Sequence, residues 1–343
     1  MKPVEAIGEQ SAIALANRLA KRAGRGHARA LSPLSGGRNN QVYRVDMLAG
    51  APLVLKRYFS DPRDGRDRLG AEWSFLRHTW SRGIRAVPEP LACDPAAHAA
   101  LYELAPGRKF RPAMLEPVHI DTAIDFIVAL NAPPRPLLAP ASEACFTLAE
   151  HLATVERRVM RVTALDPDAP HASEARSFVS TRLVPAWEAV KSRFVDNAKA
   201  AGLAIDRPLA SNQECLSPSD FGFHNALVDD DGRLTFLDFE YAGSDDPAKL
   251  VSDFFCQPEV PVPLIHHAHF IERITDGLGL DQAAATRCAL LLDAYRIKWT
   301  CILLNEYLAL GAARRAFADA GIQPERCAAQ LAKAEAKLAE INL

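Results

Sequence analysis

The strongest signal in this sequence lies between Leu216 and Glu240. Leu216-Ser217-Pro218-Ser219-Asp220-Phe221-Gly222-Phe223-His224-Asn225 leads into an apolar strand over Asn225–Val228. The turn Asp229-Asp230-Asp231-Gly232 follows, then Leu234–Leu237, which runs straight into Asp238-Phe239-Glu240. An Asp- and Gly-rich turn between two short apolar runs predicts a hairpin. Its strands are antiparallel neighbours, so Asn225 and Asp238 fall at the same end. The chemistry that needs this pattern is phosphoryl transfer, which is mostly positioning and electrostatics. It takes one carboxylate to accept or orient a substrate hydroxyl. It also takes two oxygen ligands for Mg2+, one of them a carboxylate.

Two earlier pieces gain force from that segment. Leu34-Ser35-Gly36-Gly37-Arg38-Asn39-Asn40-Gln41-Val42-Tyr43 reads as strand, loop and strand. Adjacent glycines such as Gly36 and Gly37 let backbone N–H groups approach a phosphate, although Gly-Gly between strands is more often a plain turn. Lys56 sits inside an apolar strand, on the face of Val54 and Tyr58. It either snorkels out at a sheet edge or neutralises nucleotide phosphates. In the second case it needs an anion to hold it, and Glu72 on the next helix is the obvious partner.

The rest of the chain sets these pieces in order. A leading helix is expected over 5–23. Strands follow near 30–34, 41–47, 53–58, 90–93 and 99–104, with a helix over 66–82 among them. Ala105-Pro106-Gly107 breaks the pattern and is the expected boundary between residues 1–105 and 106–343. Beyond it helices are expected near 117–131, 143–163, 173–202, 263–276, 281–311 and 321–340, the 281–311 segment being one helix or more. A small β-rich lobe followed by a larger helical lobe is an α+β architecture, and 343 residues suit two such lobes. The net charge of −2 argues against nucleic acid as the main partner. No run of apolar residues is long enough to span a membrane, and the start lacks a secretory pattern. The 7 cysteines form no C-x-x-C pair and read as reduced residues of a cytoplasmic protein.

Taken together, these pieces resemble the aminoglycoside phosphotransferase and choline kinase-like family, which has a bilobal protein-kinase-like fold. The resemblance runs from about Leu31 to at least Phe255. It is carried by Ser35–Val45, Val54-Leu55-Lys56, Glu72–Leu76, Tyr102–Gly107, Asp220 with Asn225, and Leu237–Gly243 with Asp245-Asp246-Pro247. It implies an ATP-dependent kinase for a small hydroxylated metabolite. Lys56, held by Glu72, would meet the α- and β-phosphates, under a loop that includes Gly36, Gly37 and Asn40. The Glu103–Ala105 backbone would meet adenine. Asp220 would be the catalytic aspartate, and Asn225 and Asp238 would bind Mg2+. Two positions depart from the pattern. Pro218 stands where the family often has His, and Lys249 stands where an acidic residue is usual. Pro218 is the one feature favouring a second reading, a nucleotide-binding pseudokinase or interaction module that performs no transfer. A protein kinase is disfavoured by the missing G-x-G-x-x-G and H-R-D motifs. Asp220-Phe221-Gly222 spells the metal motif of those enzymes but stands in the wrong place for it.

Other clusters read more plainly. His266, His267 and His269 lack a carboxylate or Cys at ligand spacing, and Asp229–Asp231 reads as a solvated hairpin tip. Tyr295, Trp299 and Glu306 recur at helical spacing and are either a substrate wall or core packing. Arg296 and Lys298 beside them oppose Glu306 alone. If those cations line the pocket, the acceptor is neutral or anionic, such as a sugar. Nothing in the sequence sets an oligomeric state.

Overall fold

The computed structural model of the protein describes residues 9–34, 40–134, 138–308 and 323–342. The sheet-rich N-terminal region and helical C-terminal region expected from the sequence are both present. Contacts divide the chain into two compact units. One holds the chain up to Phe110 together with Asn225–Ala242. The other holds Arg111–His224 and the described residues from Gly243 on.

In the first unit, α1 (Glu9–Arg22) precedes β1 (Ala28–Pro33), β2 (Gln41–Met47) and β3 (Leu53–Arg57). Next come α2 (Arg68–Ser81), β4 (Pro90–Asp94), β5 (Ala99–Glu103) and β6 (Arg108–Lys109). The antiparallel sheet has the order β1-β2-β3-β5-β4. Alternation along β3 decides what lies on each side of it. Leu53 and Leu55 join Leu15, Ala16, Leu19 and Ala20 of α1 in one apolar core. Lys56, the residue after Leu55, is thereby turned to the opposite face. Asp67 caps α2, its side chain accepting from the Gly70 N–H at 2.9 Å.

The hairpin of β8 (Ala226–Val228) and β9 (Leu234–Phe236) belongs to this unit and extends a small sheet with β6. Gly107 makes room for it. Its φ is +107°, and a Cβ there would sit 2.5 Å from the Val228 carbonyl oxygen.

The second unit is built on helices α3 (Pro117–Leu130), α4 (Leu148–Val162), α5 (Ala172–Phe178) and α6 (Val184–Ala200). The short strands β7 (Cys215–Ser217) and β10 (Gly243–Asp245) follow, then α7 (Pro247–Cys256), α8 (His267–Leu278), α9 (Gln282–Leu290), α10 (Leu292–Leu303) and α11 (Gln323–Ala339). The continuous helix expected over 173–202 is interrupted by a π-turn at Val179–Leu183, just before Pro185. The 281–311 segment divides into α9 and α10, with a 3-10 turn at Leu304–Tyr307. Helix α10 is the hub, packing against α4, α6, α7, α9 and α11. Apolar stripes on several sides explain why it is buried on nearly all of them.

Candidate active site

Strand β3 and helix α2 together position the first group of side chains. The Lys56 Nζ donates to Glu72 Oε2 at 2.6 Å and to Asp238 Oδ1 at 2.5 Å. Ala100 stands opposite Lys56 on β5. Burial alone would favour a neutral amine, but Asp238, Glu72 and Glu240 outweigh it and hold the Lys56 pKa well above its ordinary value. Burial pushes Glu72 upward, against the pull of Lys56. Tyr58 gives Glu72 Oε2 a second donor at 2.8 Å. Having spent its only proton there, the Tyr58 oxygen accepts from the Tyr102 hydroxyl at 2.6 Å. The two phenols were not legible beforehand as parts of the site, because their meeting depends on strand register.

Asp238 terminates the hairpin in a left-handed backbone, φ +66°. A non-glycine residue there is costly by about 1–3 kcal/mol, and strain of that kind concentrates at working positions. Two contacts hold the turn. Phe239 stacks on Phe75 of α2 at 4.5 Å between ring centroids, and the Leu237 N–H donates to the Asn225 carbonyl at 2.8 Å. The second bond makes Asn225 and the Asp238 turn backbone neighbours, as the hairpin requires. Asn40 uses both ends of its amide. Its amide donates to Glu240 Oε2 at 2.7 Å, and its carbonyl oxygen accepts from the Phe59 N–H at 3.1 Å. Arg68 stands 3.6 Å from Glu240 and pairs with Asp64 at 2.6 Å. Asn40 thus fastens the start of β2 to the Asp238 segment. Gly36 and Gly37 themselves lie outside the described residues. Glu103 ends β5 with its side chain exposed, and Ala105 follows half-buried.

The donors at Asn225 and Asp238 suit Mg2+. One carboxylate and one amide oxygen are hard ligands, and Mg2+ completes its shell from water and nucleotide phosphates and needs no all-protein cage. The Asp238 side chain is 38% exposed while Lys56 is 9% exposed, so the carboxylate can still be reached.

The second group lies on the loop after β7. Asn131 clamps the strand, its oxygen accepting from the Leu216 N–H at 2.7 Å and its amide donating to the Leu216 carbonyl at 3.0 Å. Phe221 stacks between Phe126 of α3 (5.7 Å) and Phe254 of α7 (5.5 Å), and Phe223 meets Phe254 edge-on. These aromatic anchors bury the loop just after its one carboxylate. Asp220 Oδ1 lies 3.2 Å from His224 Nε2. The His224 ring covers Gly222, where a Cβ would be 2.9 Å from Nδ1. His224 was missed in the sequence. Its spacing of four from Asp220 is the available signal.

Of the two readings of the Tyr295, Trp299 and Glu306 stripe, core packing fits Tyr295 and Glu306, with Trp299 half-buried. Tyr295 is buried, with its hydroxyl 2.7 Å from His151 Nδ1. Glu306 is buried against Arg326. Lys298 donates to both oxygens of Asp253 at 2.8 Å, and Trp299 Nε1 donates to the same carboxylate. Arg296 pairs with Asp293 at 2.7 Å. Both cations are neutralised within the helices, so the charge argument for a neutral or anionic acceptor loses its premise. His269 contacts Asp121 at 2.9 Å. Among the described residues no helix is long and apolar enough to cross a membrane.

Comparison with known proteins follows the same lines. A choline/ethanolamine kinase family protein from Mesorhizobium loti is 20% identical over 94% of this chain and 98% of its own, with a TM-score of 0.54. A spectinomycin phosphotransferase solved with ADP and its antibiotic is 14% identical over 96% and 98%, TM-score 0.59. A choline kinase from Streptococcus pneumoniae is 13% identical over 96% and 100%, TM-score 0.58. At these identities the likeness establishes the fold. No curated protein has a sequence that matches this one. Residues 30–264, which carry both groups of side chains up to and beyond Asp238, match the model of the phosphotransferase enzyme family (APH). The chain therefore belongs to that family and is a small-molecule kinase.

Proposed function

We propose that the protein transfers the γ-phosphoryl group of Mg-ATP to a hydroxyl of a small metabolite. The observation that carries this reading is the Lys56 amine held between Glu72 and Asp238. A charged lysine fixed by one buried and one accessible carboxylate can exchange the accessible partner for a phosphate. In this reading Lys56 takes the α- and β-phosphates and Glu72 keeps it aimed. The bound metal ion would be held by Asn225 and Asp238, and its part is to offset charge on the phosphate oxygens. The Glu103–Ala105 backbone would meet the adenine, and Gly36, Gly37 and the loop tied down by Asn40 would cover the phosphates. Asp220 orients the acceptor hydroxyl and takes its proton as the O–P bond forms, while ADP leaves.

The acceptor is a small hydroxylated compound. Its class is to be found by measuring ADP release with a panel of sugars, amino alcohols and aminoglycosides. Asp220→Asn should keep Mg-ATP affinity and lower turnover about 10²–10⁴-fold, the range for losing a general base. Parent-like turnover in that variant would remove Asp220 from the role and defeat the reading.

A further inference from the structure

Two departures from the family pattern, Pro218 and Lys249, meet at one place in the second unit. Ser219 stands between Pro218 and Asp220, with its backbone in the left-handed region at φ +68°. A serine gains nothing intrinsic from that conformation, so its surroundings must hold it. On one side its N–H donates to Ser217 Oγ at 3.0 Å, and Ser217 is paired with Gly243 across β7 and β10. On the other side its hydroxyl accepts from Lys249 Nζ at 3.3 Å.

Lys249 is itself fixed. Its side chain is 2% exposed, and Nζ donates to Asp245 Oδ2 at 2.5 Å. The other Asp245 oxygen accepts from the Cys145 and Asp246 N–H groups. The lysine stands in the first turn of α7, whose cap is Asp246. A buried amine with a single carboxylate has donors to spare. The hydroxyl next to the reactive carboxylate takes one of them. A strut thus runs from a buried aspartate, through a buried lysine, to the residue just before Asp220.

We infer that Lys249 is a positioning residue for Asp220, acting through the Ser219 hydroxyl. The inference rests on Asp220 being the group at the acceptor. It explains why this chain tolerates proline at 218 and a lysine at 249 together: the amine supports the loop from behind without a hydrogen-bonding side chain at 218.

ADP release from Mg-ATP is the readout, with water alone and with glucose, choline or kanamycin added. Asp220→Asn is the reference variant. Removing Lys249 alone strands Asp245, so Lys249→Met is paired with Asp245→Asn, which restores neutrality. That double variant should melt near the parent and lose about ten-fold or more in kcat, as small misplacements of a reacting group do. Its KM for Mg-ATP should change by about two-fold or less, because the interaction matters only in the chemical step. Ser219→Ala should fall in the same direction, and adding it to the double variant should cost nothing further, since both remove one bond. Lys249→Arg should keep part of the rate.

If Asp220→Asn is slow while Ser219→Ala and the double variant turn over like the parent, Lys249 is not a positioning residue. Losses that multiply, or that fall on KM for Mg-ATP as much as on kcat, overturn the inference equally. If Asp220→Asn is itself unimpaired, the proposed function fails first and takes this inference with it. Should the double variant not fold, Ser219→Ala decides alone.

Discussion

Lys56 and Lys298 are both buried lysines bound to carboxylates, yet they sit in different kinds of place. Lys298 and Asp253 are each about 6% exposed, and both carboxylate oxygens face the amine. Trp299 adds a third donor, and the pair is closed. Lys56 has one equally buried partner, Glu72, and one partner that remains open to solvent, Asp238. The lesson is that burial of a charge does not mark a site. What marks it is an ion pair left incomplete, with one partner held for orientation and another accessible for exchange. His151, Asp246 and Arg287 form a second closed cluster in the helical unit.

The sharpest way to break this contrast is to remove each amine. Lys298→Met strands a buried carboxylate and should cost about 3–5 kcal/mol of stability. Denaturant unfolding would register it, and activity should fall only as the folded fraction does. A stability like the parent's would show that the pair is not closed. Lys56→Met should do the reverse. Glu72 keeps the Tyr58 hydrogen bond and Asp238 can be rehydrated, so unfolding should shift less than in Lys298→Met. Turnover with Mg-ATP should drop about 10²–10³-fold, the usual loss for one charge-stabilising donor. If Lys56→Met unfolds as badly as Lys298→Met, the two lysines are alike and the contrast is lost.

A smaller effect should come from His151. Burial opposes its charge, but the Asp246 hydrogen bond and attraction prevail and raise its pKa to about 9. A raised folded-state pKa means that the stabilisation is complete below the ordinary value near 6.5 and is lost as pH climbs through about 9. The change is on the order of 3 kcal/mol, a ceiling set by the shift. Unfolding free energies measured from pH 6 to 10 should fall across that window in the parent and stay flatter in His151→Gln. A flat parent curve would mean that His151 is buried neutral.

Much of this was legible in the sequence, for reasons that differ by residue. Lys56 was conspicuous because a charge interrupts an apolar strand, and Asp238 because an apolar strand ends on it. Tyr43, Val45 and Met47 share one face of the first strand and Val54, Lys56 and Tyr58 one face of the next, so Gln41–Met47 and Leu53–Arg57 were placed almost to the residue. The direct Lys56–Asp238 contact was not legible. Neither was the Asn40–Glu240 bond, which joins residues 200 apart, because only the folded register brings them together. Tyr295, Arg296 and Lys298 left two readings open for a related reason. A helix buried on most sides shows the same spacing as one that lines a pocket, and the neutralising partners Asp253 and Asp293 arrive from another helix or from one turn away. Lys249 was visible only as an oddity until Ser219 and Asp245 appeared beside it.

The hairpin that carries Asn225 and Asp238 belongs with strands made long before it. During synthesis the ribosome finishes Phe110 well before it reaches Ala242. At about 5–20 residues per second the wait is on the order of ten seconds. Through that interval β6 lacks its neighbour β8, and Lys56 and Glu72 lack the carboxylate that completes them. A nascent chain stalled near residue 110 should therefore be open to proteases and holdase chaperones, and the same chain stalled well past residue 242, with the hairpin clear of the ribosome, should resist them.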